Sequence, residues 1–267
     1  MLFDLQHHTG PSMRILTDTH AHTVASDHAF STVHDYFQIA RDKGLQLFSI
    51  TDHAPTMPDG AHYWHFGNMK VIPRVVGNVG MLRGIEANIL EPEGGLDILD
   101  KMHPFLDFAI ASFHEPVFAP ADKATSTRAV INTIKTGECQ IVGHPGNPNY
   151  PLDYEEVIRA ARDNNVVLEI NNSSFSHSRL GSESNCVHIM ELIDRLDWKV
   201  AFGSDSHIAY SVGDFEHATA HAERIGFPEA RIVNATAPRF LRFLGEHDKP
   251  VAQEMAEWAS QFESDAS

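Results

Sequence analysis

Apolar residues along this chain gather into short runs separated by longer amphipathic stretches. Seven runs stand out, at residues 14–17, 45–51, 81–85, 108–113, 140–142, 166–170 and 200–203. Each is rich in Val, Ile, Leu or Phe, the pattern of parallel strands buried on both faces. Helical patterns lie between several of them. Ser31 or Thr32 caps a helix that reaches Lys43, with Gly44 as its stop. Asp153 and Glu156 have capping-box spacing and open a helix to about Asn164. Further helices are predicted at 126–136, 183–196 and 215–225, and two more in the tail at 237–244 and 251–262. Residues 54–70, punctuated by Pro and Gly and carrying Trp64 and Phe66, read as a long functional loop. Residues 1–12 read as an N-terminal extension, leaving 13–267 as one domain. Strands alternating with helices imply α/β architecture with a parallel sheet, and a closed barrel is preferred over a doubly wound sheet. No GxGxxG follows the first run, so a dinucleotide site has no support.

Composition narrows the function. The 267 residues carry a net charge of −16, which disfavours duplex nucleic acid and anionic membrane as partners. No apolar run approaches the roughly 20 residues that span a bilayer. The first residues lack the basic start and apolar core of a signal peptide. Cys139 and Cys186 form no CxxC pair, so a reducing, cytoplasmic setting is expected.

The 18 histidines nearly match the 20 Lys and Arg together. Their places matter more than their number. The first run leads into Asp18-Thr19-His20-Ala21-His22, with His28 shortly after. The second ends at Thr51-Asp52-His53, the third at Glu86, the fourth at His114-Glu115 and the fifth at His144-Pro145. The sixth ends at Glu169-Ile170-Asn171-Asn172 and the seventh at Asp205-Ser206-His207. Alternate strand residues point the same way, so His20 with His22, and Asp205 with His207, can each reach one site. A lone HxH means little. The same donor types closing nearly every strand, at the rim where α/β barrels build their sites, mean much more. Seven His with one Asp and one Glu exceed the roughly four ligands of one zinc ion, so two or three ions are expected. His34, His188, His217 and His221 fall in helical patterns and read as solvated or core residues. His62 and His65 sit on the long loop and are candidates for touching substrate.

These residues resemble the PHP (polymerase and histidinol phosphatase) superfamily, and the match is closer to its YcdX-type phosphatases. The stretches 114–118, 143–148 and 168–175 carry the closer likeness, and the resemblance spans about residues 13–245. It implies a distorted (β/α)7 barrel with a trinuclear metal site, usually zinc, at the C-terminal rim of the strands; manganese or iron are the other options. Carried over, one ion would be held by His20, His22, Glu86 and Asp205. A second would be held by His114 and His144, with Glu86 bridging. A third would be held by His28, His53 and His207.

Clustered divalent ions favour hydrolysis of an anionic ester, because one activates water and another clamps phosphoryl oxygens. They also explain how an acidic chain can bind phosphate. The expected activity is hydrolysis of a small phosphate monoester by a metal-bound hydroxide, with Glu86, Asp205 and His207 at the chemistry. Asp18 and Asp52 adjoin ligands and are candidates to orient imidazoles. Asn171, Asn172, Ser173, Arg179 and His65 are candidates to meet substrate, and no general acid is assigned. Three alternatives differ in class. A phosphodiesterase or exonuclease would act on nucleotides or single-stranded ends. An amidohydrolase-type enzyme would need a bridging Lys, which none of these strand ends carries. A non-catalytic metal-binding regulatory domain would chelate without hydrolysis.

Overall fold

The barrel wall is laid down by seven parallel strands in strict chain order. The computed structural model describes residues 13–176 and 178–266, with side chains through Glu263. The expected extension at 1–12 lies outside the described residues. The strands are β1 (Thr17–Asp18), β2 (Leu47–Ile50), β4 (Val79–Asn88), β5 (Phe108–Ser112), β6 (Ile141–Val142), β7 (Val167–Asn171) and β8 (Val200–Gly203), and each pairs in parallel with the next. A short β3 (Val75–Val76) adds an antiparallel hairpin to β4. β4 itself extends the expected 81–85 strand at both ends.

The ring nearly closes. Ala21 forms a parallel bridge to Ser206 just beyond the ends of β1 and β8. Lower down, one buried side chain spans the seam. Asn234 Nδ2 donates to the carbonyls of Thr17 and Phe202, each at 2.7 Å, and its Oδ1 accepts from Phe202 N–H at 2.8 Å. A buried ladder gap would otherwise leave backbone groups unpaired.

The helices pack outside the wall. They are α1 (Val33–Asp42), α2 (Tyr63–Asn68), α3 (Lys123–Thr136), α4 (Tyr154–Asp163), α5 (Ser182–Arg195), α6 (Glu216–Ile225) and α7 (Ala237–Gly245). Thr32 and Asp35 form the capping box of α1, and Asp153 caps α4 through Glu156 N–H. Asp122, capping through Thr125 N–H, starts α3 three residues before the expected 126. The stretch 54–70 is not wholly loop, since it contains α2. The expected tail helix 251–262 is broken into α8 (Val251–Glu254), α9 (Ala256–Ala259) and a 3-10 segment (Ser260–Ala266). Among the described residues no helix is long and apolar enough to cross a membrane.

Side-chain alternation sorts the strands into two apolar clusters. Leu47, Leu82, Phe108, Ile110, Ile141, Val167 and Ala201 pack with α7 and the tail residues Val251, Met255 and Ala259. Their neighbours Phe48, Met81, Ala109, Val142, Leu168 and Phe202 pack in the other cluster with the surrounding helices. Climbing the first face two residues at a time turns apolar into polar. Leu82 leads through Gly84 to Glu86, Ile110 through Ser112 to His114, and Ala201 through Gly203 to Asp205. The middle layer is tight. A Cβ on Gly203 would lie 1.9 Å from Glu169 Oε1, and one on Gly143 would lie 2.2 Å from Ser112 Oγ. The fold thus seals one end of the barrel with hydrocarbon and crowds donor atoms at the other.

Candidate metal centre

Glu86 sits at the middle of the polar rim, fully buried, near the end of β4. Its two oxygens face different histidines. Oε1 lies 2.9 Å from His144 Nε2, and 3.4 Å from both His20 Nε2 and His114 Nε2. Oε2 lies 3.0 Å from His53 Nδ1 and 3.5 Å from His22 Nε2. Asp205 stands opposite, its Oδ1 at 3.6 Å from His20 Nε2 and 3.4 Å from His22 Nε2. His207 stacks on His22 with ring centroids 4.4 Å apart, and His28 lies 4.4 Å from His207 and 5.2 Å from His53. All nine expected ligands therefore converge on one volume.

Local backbone explains how two of them arrive. His144 and Asp205 both take positive φ, at 28° and 56°. Such angles cost a non-glycine residue about 1–3 kcal/mol and persist where the surroundings impose them. His144 N–H is held by Glu169 Oε2 at 2.8 Å.

The electrostatics leave both carboxylates, His22 and His144 in the form a cation requires, whereas, against the effect of burial, Glu169 and Glu86 raise His20 and Glu86 raises His53 in the absence of an ion. Burial would push Glu86 up, but His20, His114 and His53 hold its carboxyl well below the usual range. Burial would likewise raise Asp205, which Arg179 and His20 hold well below the carboxylate range. Burial and the neighbouring His53 push His22 down to about 3, and burial and Arg179 push His144 down to about 4. Both carboxylates are thus ionised and both imidazoles neutral near pH 7, which is the ligating state of each.

The residues fit divalent cations on the chemistry of unpaired atoms. Among the described residues, buried Glu86 Oε2, His22 Nδ1, His53 Nδ1, His114 Nε2 and His207 Nε2 make no hydrogen bond, the 3.0 Å approach of Oε2 to His53 Nδ1 being an ion-pair distance without hydrogen-bond geometry. Buried polar atoms are ordinarily paired, so this concentration in one pocket needs a compensating group. Among the described residues, His20–His22–Glu86, His53–Glu86–His114, His22–His53–His207 and His28–His53–Asp59 each bring donor atoms within 4.8 Å of one another.

Outer partners fix ring orientation. His20 Nδ1 meets Glu169 Oε1 at 2.7 Å, His114 Nδ1 meets Asn88 Oδ1 at 2.7 Å, and His207 Nδ1 meets the Asp205 carbonyl at 2.9 Å. His28 Nδ1 pairs closely with Asp59. Sequence reasoning assigned no role to Glu169, Asn88 or Asp59. For Glu169 a signal existed, since it lies two residues before Asn171 on the same strand face. Asp18 touches no ligand imidazole; it accepts from the backbone of His20, Ser204 and Gly213. Asp52 accepts from Thr23 and Ser26 and meets His65 Nε2 at 3.0 Å.

A cavity of about 470 Å³ opens beside the cluster, lined by Phe113, Glu115, Asn172, Ser173, Arg179 and Asp214 among others. The expected substrate residues divide there. Ser173 and Arg179 line it, with Arg179 Nη1 2.9 Å from Asp205 Oδ2. Asn172 lines it too, while its Oδ1 accepts from His217 and Ala218 N–H at the start of α6. Asn171 is committed elsewhere, donating to Glu169 and Asp205 and accepting from Ser174. His65 lies outside the cavity walls, against Asp52.

Known proteins share this chain's sequence and fold. It is 50% identical over 245 residues to a "Probable phosphatase" of Aeromonas hydrophila subsp. hydrophila, covering 92% of this chain and 100% of that one. It is 52% identical over 240 residues to "Probable phosphatase YcdX" of Escherichia fergusonii, covering 90% and 98%. No protein-family model matches the chain. Among solved structures, the histidinol phosphate phosphatase of Lactococcus lactis subsp. lactis, complexed with zinc, L-histidinol and phosphate, superposes with a TM-score of 0.56. At 17% identity, over 81% of this chain and 95% of that one, the likeness is one of fold.

Proposed function

The chain belongs to the YcdX-type phosphatases of the PHP superfamily, and from that premise we propose that it hydrolyses phosphate monoesters at a centre of three divalent ions, zinc first. One observation carries this reading: Glu86 lies within 3.5 Å of five histidines, so a single buried carboxylate reaches candidate ligands of all three ions. His20, His22, Glu86 and Asp205 would hold one ion, Glu86, His114 and His144 a second, and His28, His53 and His207 a third. Bound divalent ions would acidify water toward a pKa of roughly 7 and neutralise phosphoryl oxygens. The zinc and phosphate in the complex of the Lactococcus enzyme agree with that ion and that product.

The chain's own groups supply the rest. Glu169 fixes the tautomer of His20 and also holds the backbone of His144, so one carboxylate aligns two ligands. Arg179 reaches the cavity from its perch on Asp205 and offers a phosphate further N–H donors in a rigid fork. Ser173 and Asn172 form the wall beyond it. Burial of the cluster strengthens each of these interactions by lowering the local dielectric.

The test is metal content by plasma emission on untagged protein, with phosphate release from a generic monoester assayed on the same samples. Wild type is compared with His20→Ala and Glu86→Ala. About three ions per chain, lost together with activity in the variants, is the expected result. One ion or none, or variants of undiminished activity, would overturn the reading.

A further inference from the structure

His28 differs from the other candidate ligands in how it is supported. It follows no strand directly, and its side chain is 52% exposed. The acceptors that fix His20, His114 and His207 lie on barrel strands or at the strand ends. The acceptor for His28 Nδ1 is Asp59, which comes from the stretch after β2.

That stretch is built independently of the pair. Met57 N–H bonds to the Ala54 carbonyl at 3.1 Å, and Gly60 N–H to the Met57 carbonyl at 2.9 Å. A Cβ on Gly60 would lie 2.1 Å from the Ala54 carbonyl oxygen, so the turn admits no side chain there. Ala61 N–H then bonds to the carbonyl of His53 at 3.0 Å, which anchors the turn to the site. Asp59 is therefore presented by a tight, preformed turn. Among the described residues, its second oxygen, Oδ1, is buried with no hydrogen-bond partner. A carboxylate serving only to brace the turn would spend that oxygen on the turn.

We infer that Asp59 is a positioning residue for the third ion, holding His28 by Nδ1 so that Nε2 faces His53 and His207. The inference rests on the three-ion reading above. Asp59 and His28 are the most solvent-accessible pair of the centre, so retention of the third ion depends on Asp59.

The experiment is zinc uptake from graded free-zinc buffers, counted per chain, for wild type, Asp59→Ala, Asp59→Asn, His28→Ala and the Asp59/His28 double alanine variant. Wild type should take up three ions. Asp59→Ala should hold two at wild-type midpoints and need roughly 10- to 100-fold more free zinc for the third. Asp59→Asn should shift less, because its amide oxygen still accepts from Nδ1–H. The double variant should match His28→Ala, since Asp59 acts through that ring. An unchanged third midpoint in Asp59→Ala, loss of all ions together, or additive losses in the double variant would each overturn the proposal. Fewer than three ions in wild type would instead overturn the three-ion reading itself.

Discussion

His20 Nδ1 donates to Glu169 Oε1 at 2.7 Å across the barrel interior, joining the segment just after β1 to β7. Both side chains are fully buried. The pair fixes which nitrogen of His20 is left facing Glu86 and Asp205. Glu169→Gln is therefore expected to lower phosphatase activity or metal affinity about 10- to 100-fold while the fold persists. Gly203→Ala should reproduce part of this defect sterically, because its Cβ would displace the Glu169 carboxylate. Steady-state kinetics with metal counting checks both, and wild-type values in Glu169→Gln would remove the role.

Metal removal should weaken the folded state. Among the described residues, the rim gathers buried imidazole and carboxylate atoms that make no hydrogen bond. A ligand that binds only the native state adds about 4 kcal/mol at a thousand times its Kd. Chelator-treated protein should melt at lower temperature, and zinc should restore it. An unchanged Tm would mean that no bound ion contributes to stability.

Arg179 to Lys is not conservative here. Lys keeps one charge but loses the fork that can span Asp205 and a phosphoryl group. Affinity for inorganic phosphate, read as product inhibition, should fall roughly 10- to 100-fold, the worth of one or two charge-assisted hydrogen bonds. Equal inhibition constants would place phosphate elsewhere.

Asn234→Ala tests the seam. The change strips partners from Phe202 N–H and from the Thr17 and Phe202 carbonyls. Thr19 Oγ1 still donates to Phe202 O at 3.1 Å, so the loss is partial. A destabilisation of about 2–4 kcal/mol is expected from the groups left unpaired. Urea unfolding measures it, and a loss below 1 kcal/mol would show that the seam holds without this side chain.

Much of this was legible because most of the candidate ligands lie at the ends of strands. His53, Glu86, His114, His144 and Asp205 follow apolar runs that locate the barrel, and the period of two puts His20 beside His22. The illegible parts have other physics. The β3–β4 hairpin rests on Gly77 and Asn78, both at positive φ (57° and 69°), as a two-residue primed turn requires. Its strand is two residues long, too short for any period to show. Helix α2 follows Pro58 and Gly60 and contains Gly67, residues that read as loop. Asp59 belongs to that stretch, so its closeness to His28 follows only from how the turn folds back. Glu169 was visible at a strand end, but a carboxylate that binds an imidazole looks the same in sequence as one that binds an ion.

The near-closure of the barrel has a consequence for when the protein becomes competent. Ser204 N–H reaches Asp18 across 186 residues of chain, and Asp205 meets His20 and His22 at the same seam. The first candidate ligands synthesised thus wait for the last. A nascent chain that has not yet released β8 carries seven of the nine candidate ligands and lacks Asp205 and His207. Once the ends meet, any ion shared by the two edges acts as a reversible staple on a very long loop. Closing such a loop restricts the unfolded chain much as a distant disulfide does. The centre would then serve as the clasp of the barrel as well as its reactive mouth.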